Sequence, residues 1–237
     1  MKTIGFIGVG IMGKSMVRNL MKAGFEVRIY ARNKEKVKDV IAEGAKFFEN
    51  IRECVKGCDA VITIVGYPAD VEAVYFGEGK IIDSAEKGAY LIDMTTTSPQ
   101  LDMRISETAS PLGFHVLDAP VTGGDRGAKA GTLSILVGGK REDCEACMDI
   151  FRAMGSNITY YGPSGAGQHA KLANQIMQAS IMSGVCEALA YVREQGLDPE
   201  VFRKGAAAGA GQNALLESYG ERICKDDLEP GFFVDFF

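Results

Sequence analysis

Short apolar runs alternate with glycine-rich breaks and amphipathic stretches over the first part of the chain. Thr3 to Gly8 reads as a strand, Ser15 to Ala23 as an amphipathic helix ending at Gly24, and Phe25 to Tyr30 as a second strand. The rhythm continues with strands at 45–48, 60–65 and 90–93 and helices at 51–56 and 69–75. Thr95-Thr96-Thr97-Ser98-Pro99 opens a helix that runs to Thr108, with Pro99 suited to its first turn. A strand ending at Val116-Leu117-Asp118, a strand over 131–139, a helix over 142–154 and a strand over 158–161 follow. Apolar strands with intervening helices predict an α/β fold with a Rossmann-like, doubly wound parallel sheet. Gly162-Pro163-Ser164-Gly165 then breaks the pattern, and the domain boundary is expected there, giving domains over 1–163 and 164–237. After it every periodic stretch is helical: 165–194, 199–207 and 213–223.

The helix over 165–194 is the most informative stretch. Ala170, Leu172, Ile176, Met177, Ile181, Met182, Val185 and Leu189 make it apolar enough to be buried on most sides. Yet Gln168, Lys171, Asn174, Gln175 and Gln178 recur at steps of three and four, which stacks them on one face. Such a stripe either pairs its groups internally or lines a wet cavity. A lysine among amides, with no carboxylate on the stripe, favours a cavity at the N-terminal end. The ordinary alternative is that Lys171 snorkels to the surface and the amides bond between helices.

Gly8-Val9-Gly10-Ile11-Met12-Gly13 lies between the first strand and the first helix, the context that raises G-x-G-x-x-G above chance. Gly8 allows the tight turn, Gly10 lets backbone approach a pyrophosphate, and Gly13 lets helix and strand pack closely. The helix N-terminus offers N–H groups and partial positive charge to phosphates. The end of the second strand chooses between dinucleotides. An acid there takes the ribose 2′-hydroxyl of NAD, whereas here the residues are Ala31, Arg32 and Asn33, with Lys34 and Lys36 behind. Arg32 could pair with a 2′-phosphate through its planar fork, which points to NADP, with NAD possible; an ordinary solvated charge is the other reading. Ligands of such folds sit at the C-terminal strand ends, so Val65, Gly66 and Pro68, and Thr95 to Thr97, should rim the crevice. The threonine hydroxyls are suited to capping a helix, to touching a nicotinamide ribose, or to both. Thr122-Gly123-Gly124 after the Asp118 strand forms a candidate anion nest, or a plain loop.

Composition narrows the partners. A net charge of −5 with no basic run argues against nucleic acid or an anionic membrane. No apolar run is long enough to span a bilayer, and the N-terminus does not read as a signal peptide. The six cysteines are therefore expected as reduced thiols in a cytoplasmic protein. Cys144 and Cys147 form a C-x-x-C without a second pair or nearby histidine, so no metal site is expected. Cys54, Cys58, Cys186 and Cys224 read as packing or surface thiols, and His115 as structural.

Four motifs in one order carry a family resemblance. Gly-Phe-Ile-Gly-Val-Gly-Ile-Met-Gly (5–13), Asp-Met-Thr-Thr-Thr-Ser-Pro (93–99), Asp-Ala-Pro-Val-Thr-Gly-Gly (118–124) and Gly-Gln-His-Ala-Lys-Leu-Ala-Asn-Gln (167–175) resemble the β-hydroxyacid dehydrogenases. That family includes 3-hydroxyisobutyrate dehydrogenase, tartronate semialdehyde reductase and the glyoxylate/succinic semialdehyde reductases. The resemblance implies that Lys171 is the catalytic lysine and that Thr122, Gly123 and Gly124 hold the substrate carboxylate, with threonine where the family has serine. It implies that Asn174 and Gln175 orient lysine and substrate, that Thr96 contacts the cofactor near the nicotinamide, and that Arg32 matches the arginine of NADP-preferring members. Gly8, Gly10, Ile11, Met12, Gly13, Asn33 and Val65 complete the expected cofactor contacts. The implied reaction is hydride transfer between NADP(H), or NAD(H), and a small β-hydroxy acid or its semialdehyde. Alternatives are a silent cofactor-binding member of the fold, or a reductase of imines or larger ketones. The implied partners are a small carboxylate-bearing substrate and further copies of the chain, associating through the helical domain. In the family the helical domain continues from this point into a Lys-Asp segment. The chain stops at Phe237, so the second domain reads as its N-terminal part, with Phe232, Phe233, Phe236 and Phe237 expected to form an apolar patch that a partner would cover.

Overall fold

A computed structural model of the chain describes residues 1–227 and Glu229, so the patch expected at 232–237 lies outside the described residues. In chain order the elements are β1 (Thr3–Ile7), α1 (Ile11–Lys22), β2 (Glu26–Tyr30), α2 (Lys38–Ala42), β3 (Lys46–Phe47), α3 (Ile51–Val55), β4 (Ala60–Thr63), α4 (Pro68–Tyr75), α5 (Ile81–Ser84), β5 (Tyr90–Asp93), α6 (Pro99–Ala109), β6 (His115–Asp118), β7 (Val121–Thr122), α7 (Gly124–Ala130), β8 (Leu133–Gly139), α8 (Arg141–Ala146), α9 (Met148–Met154) and β9 (Gly155–Gly162). They are followed by α10 (Ala166–Glu194), α11 (Pro199–Ala207), α12 (Ala214–Ser218) and α13 (Gly220–Cys224).

Strands β3-β2-β1-β4-β5-β6 pair parallel in that order, with the order reversing between β1 and β4. Ligands of open parallel sheets bind beyond the strand ends at such a reversal. Side-chain alternation explains how both faces are covered. Ile4, Phe6, Ala60, Ile62, Ile92 and Leu117 point into the core beneath α1 and α9, while Ile7, Val61, Leu91 and Val116 point into the core shared with α3 and α6. Full burial of an isoleucine, leucine, valine or phenylalanine side chain of this kind contributes roughly 1.5–3 kcal/mol.

The sheet is parallel in part only. β8 runs antiparallel to β6 and to β7, and β9 pairs parallel to β8 on its other side. Pro120, between β6 and β7, has no N–H to donate, yet its carbonyl accepts from Leu136 N at 2.9 Å, so the two short strands follow one neighbour around a break. Three further expectations are corrected. Residues 142–154 form two helices that meet at Cys147 (φ −92°, ψ 3°), and no residue type there marks the break. Residues 213–223 form two helices, and a Cβ on Gly220 would lie 2.9 Å from Arg203 Cδ. Gly124, read as part of a nest or a plain loop, opens a helix, α7, that runs to Ala130.

The chain forms two compact units, Met1–Lys171 and Leu172–Phe237, which divide later than the expected 163/164 boundary. The first turns of α10 belong to the sheet unit because Asp118 at the end of β6 accepts from Gly165 N at 2.8 Å and Gln168 N at 3.0 Å. In the second unit Val185, Leu189 and Leu216 form a small core, with Ala206, Ala207 and Ile223 against it. Burial on most sides of α10 is not observed. Ile176 is 70% and Met177 60% exposed, whereas Gln168, Lys171 and Gln175 are buried. The apolar residues outnumber what the described part of this unit covers. No helix among the described residues is long and apolar enough to cross a membrane.

Candidate active site

The ends of β1, β4, β5 and β6 lie side by side. Ile7 is in register with Thr63, Thr63 with Asp93, and Asp93 with Asp118. Each of the expected site segments of the sheet unit follows one of these ends or, for Arg32, the end of β2. The Gly8–Gly13 turn leaves β1, Val65 follows β4, Thr95 to Thr97 follow β5, and Thr122 to Gly124 follow β6.

The glycine turn is shaped for an anion. Gly8 has φ +99°, and a Cβ there would lie 2.0 Å from Ile64 O; a Cβ on Gly13 would lie 2.2 Å from Gly8 O. A Cβ on Gly10 would meet nothing within 4 Å, so its backbone faces open space. No side chain caps α1, and its first turn carries no acid. A bare helix N-terminus behind an open glycine fits a dinucleotide diphosphate. Ile11, at the start of α1, is 66% exposed on this rim, and Met12 packs partly against the core.

Arg32 projects into solvent, 83% exposed at its side chain, with Nη1 3.3 Å from Asp70 Oδ1. Asn33 accepts from Glu35 N at 3.0 Å and so caps the short turn after β2. Val65 N donates to Thr95 Oγ1 at 3.1 Å, which ties the β4 and β5 ends together. Helix α6 starts at Ser98 with no side-chain cap, so the threonines are not used for capping. Gly123 and Gly124 take φ values of +123° and +60°, turning the backbone directly into α7, with Thr122 on the strand before them.

Gln168 is fully buried and tied three ways. Its Oε1 accepts from Thr97 N at 3.1 Å; its Nε2 donates to Thr95 O at 2.7 Å and Asp102 Oδ2 at 2.8 Å. Asp118 gives the α10 N-terminus its anionic cap, and Gly138 leaves room for it, since a Cβ there would lie 2.5 Å from Asp118 Oδ1. One turn on from Gln168 stands Lys171, 7% exposed, with no carboxylate paired to it among the described residues. Burial disfavours its ammonium and lowers its pKa from 10.5 to about 8. An amine so tuned can both give and take a proton near neutral pH. The polar stripe of α10 thus divides: Gln168 is paired internally, whereas Lys171 has no carboxylate partner among the described residues.

Asn174 and Gln175 lie farther along α10, in the second unit. Asn174 Nδ2 donates to Gln175 Oε1 at 3.2 Å, and Gln175 is buried. Asp93, Asp102 and Asp118 are buried as well, and burial raises the pKa of each, that of Asp93 to about 6. Sequence reasoning missed Asp102 and the role of Gln168. A signal existed: Asp102, Ile105 and Ala109 share one helix face at steps of three and four, and an acid on an apolar stripe needs a buried partner. Four of the cysteines and His115 behave as packing groups, while Cys186 is exposed. Cys54 and Cys58 are buried, with thiols pushed up to about 12 and about 11, and Cys144 and Cys147 are buried and also shifted upward. His115 stacks on Tyr90 at 4.5 Å and places Nδ1 2.6 Å from Asp143 Oδ1.

Residues 3–162 match the NAD binding domain of 6-phosphogluconate dehydrogenase, and residues 165–237 the NAD-binding domain of NADP-dependent 3-hydroxyisobutyrate dehydrogenase. An uncharacterised Bacillus subtilis oxidoreductase, YkwC, is 49% identical over 100% of this chain and 82% of its own length. The Escherichia coli 2-hydroxy-3-oxopropionate reductase is 37% identical over 98% of this chain and 79% of its own. The structure of Mycobacterium tuberculosis 3-hydroxyisobutyrate dehydrogenase with L-serine superposes with a TM-score of 0.87 at 29% identity, over 98% of this chain and 81% of that one. Sheet order, glycine turn and these likenesses agree: the chain belongs to the β-hydroxyacid dehydrogenase family, NAD(P)-dependent oxidoreductases that act on a CH–OH group.

Proposed function

We propose that the chain transfers hydride between NADP(H) and a small β-hydroxy acid or its semialdehyde, with Lys171 moving the proton. The observation that carries this reading is Lys171 itself: a buried amine without a carboxylate partner among the described residues, held at about 8 by burial. Such a group costs stability and is kept for chemistry more readily than for packing. In reduction its ammonium protonates the carbonyl oxygen as the alcohol forms. In oxidation its free amine takes the hydroxyl proton. The bound nicotinamide supplies or accepts the hydride.

Thr122, Gly123 and Gly124 take the substrate carboxylate, which fixes the reacting carbon relative to the lysine. Asn174 and Gln175 orient lysine and substrate. Gly8, Gly10, Ile11, Met12 and Gly13 hold the diphosphate, and Val65 and Thr96 border the nicotinamide half. Arg32 selects NADP. Its contact with Asp70 is a single exposed pair, which contributes little and exchanges readily for a 2′-phosphate. Asn33 shapes the turn beside it.

The test is NADPH oxidation by this chain with glyoxylate, succinic semialdehyde, tartronate semialdehyde and methylmalonate semialdehyde. Turnover with one or more is expected. NADPH binding without turnover on any of them would overturn the substrate class.

A further inference from the structure

Behind the strand ends lies a cluster that the proposed chemistry does not use. Asp93, Asp102 and Asp118 are 2%, 3% and 1% exposed, and no cation is paired with any of them among the described residues. Their hydrogen bonds are unequal. Asp118 accepts from two backbone N–H groups at the start of α10. Asp93 Oδ1 accepts from Thr63 Oγ1 at 2.7 Å and from Thr95 N at 3.1 Å. The Asp102 carboxylate accepts from the Gln168 amide. Three buried carboxylates cannot all be ionised without counter-charge, so the least supported, Asp102, should hold a proton.

The donors fix where that proton sits. Thr97 N can only donate and Thr95 O can only accept, so the Gln168 amide has one orientation, with Nε2 toward Asp102 Oδ2. Asp102 Oδ2 is therefore an acceptor, and the proton belongs on Oδ1. Asp93 and Asp102 are joined through one residue and one amide: Asp93 Oδ1 holds Thr95 N, and Gln168 Nε2 bridges Thr95 O to Asp102 Oδ2, a placement that disfavours two ionised carboxylates. Asp93 Oδ2 is buried with no hydrogen-bond partner among the described residues, and a proton on Asp102 would give it a donor. Tyr75, whose hydroxyl lies 3.1 Å from Thr63 Oγ1, completes the chain from α4. The titratable groups around the pair are thus Tyr75 on α4, Asp118 on β6 and, one turn beyond Gln168, Lys171 on α10.

We propose that Asp93 and Asp102 share one proton and that this pair, acting through Gln168, is the positioning element that keeps Lys171 and the Thr95–Thr97 loop in register. The loop carries Thr96, and Gln168 stands one helical turn before Lys171, so one amide spans the cofactor rim and the proton-transfer helix. The positioning role rests on the function proposed for Lys171; the shared proton does not.

The proton is tested without substrate or cofactor, by denaturant unfolding from pH 4 to pH 8 of wild type, Asp102→Asn and Asp102→Leu. The Asp102→Asn side chain keeps a donor toward Asp93 and an acceptor toward Gln168. A carboxyl that stays protonated in the fold makes stability fall as pH rises above its unfolded pKa, until the folded pKa is passed. Wild type should therefore lose ground to D102N by about tenfold in the unfolding constant per pH unit over that window. D102L should be weaker than D102N throughout. A wild-type to D102N ratio that stays flat across the range would overturn the shared proton.

The positioning role is read on Gln168→Met and Gln168→Glu, by the titration of Lys171 followed through isotope-labelled methyl groups on its amine, and by kcat against KM. Loss of the amide should raise the Lys171 midpoint by about one pH unit as water reaches the freed helix end. It should also lower kcat at least about tenfold with KM little changed. The Q168E variant should restore neither, because its carboxylate lacks the two N–H donors. A folded Q168M with the wild-type lysine midpoint would overturn the positioning role, even if the substrate assignment itself fails.

Discussion

The proposed proton step turns on Lys171, whose titration is set by burial alone. With the ammonium held at about 8, the free amine is the form that accepts a proton in alcohol oxidation. The rate of oxidation should therefore climb about tenfold per pH unit below about 8 and level off above it. Reduction, which needs the ammonium, should fall above the same point. Initial rates in both directions from pH 6 to pH 10 check this, and profiles indifferent to that pH would remove Lys171 from the proton step. Lys171→Ala should cost about 10²–10⁴ in kcat while NADPH binding is retained, as measured by cofactor fluorescence. Arg32 makes a separate prediction at the same scale. If its fork takes the 2′-phosphate, Arg32→Ala should weaken NADPH by about ten- to a hundredfold and leave NADH almost unchanged, the span expected for charge-assisted bonds. Equal losses for both cofactors would make Arg32 an ordinary surface charge.

At the scale of elements, α10 is seated on the sheet by close backbone approach. A Cβ on Gly167 would lie 2.3 Å from Leu136 O and 2.8 Å from Asp118 O, and neither atom belongs to a side chain that can swing away. Gly167→Ala should therefore lift the helix start, cost about 1–3 kcal/mol of stability, and lower kcat because Lys171 rides one turn on; a thermally unshifted G167A would show that the seat is looser. The sequence made the seated stripe visible, since Gln168, Lys171 and Gln175 fall at helical spacing. It did not say which face of α10 is covered. Ile176 and Met177 are more hydrophobic than Gln175, yet they are the exposed ones, because coverage depends on what packs across and not on the helix's own pattern. The central parallel strands β1, β4 and β5 were legible for the opposite reason: buried on both faces, they read as nearly unbroken apolar runs. The turn from parallel to antiparallel pairing at β8 was not, because partner direction leaves no mark in a strand's composition. Helix α7 was hidden by its glycines, which signal loop, although they serve here to enter a helix at φ +123° and +60°.

At the scale of the whole molecule, the site should cost stability, and the direction can be worked out. Lys171 holds its proton at 10.5 in the unfolded chain and at about 8 in the fold. Below pH 8 both states are protonated, and the folded state carries the full penalty of a buried ammonium. Between pH 8 and 10.5 the folded state releases the proton that the unfolded state still binds, so stability rises with pH. At about 1.4 kcal/mol per pH unit, the gap amounts to about 3 kcal/mol at neutral pH. Lys171→Met keeps an unbranched stem and removes the charge. It should stabilise the protein by up to that amount at pH 7, with the gain shrinking toward zero above pH 10.5. The buried carboxyls run the other way, losing stability as pH rises, but they are common to both proteins and cancel in the difference. Denaturant midpoints of wild type and K171M at pH 7 and pH 10 therefore isolate the lysine. A K171M protein that is inactive but more stable at pH 7 marks a group retained for turnover at the expense of the fold. One that is less stable at both pH values would instead make Lys171 a packing residue, and the proton would have to come from elsewhere.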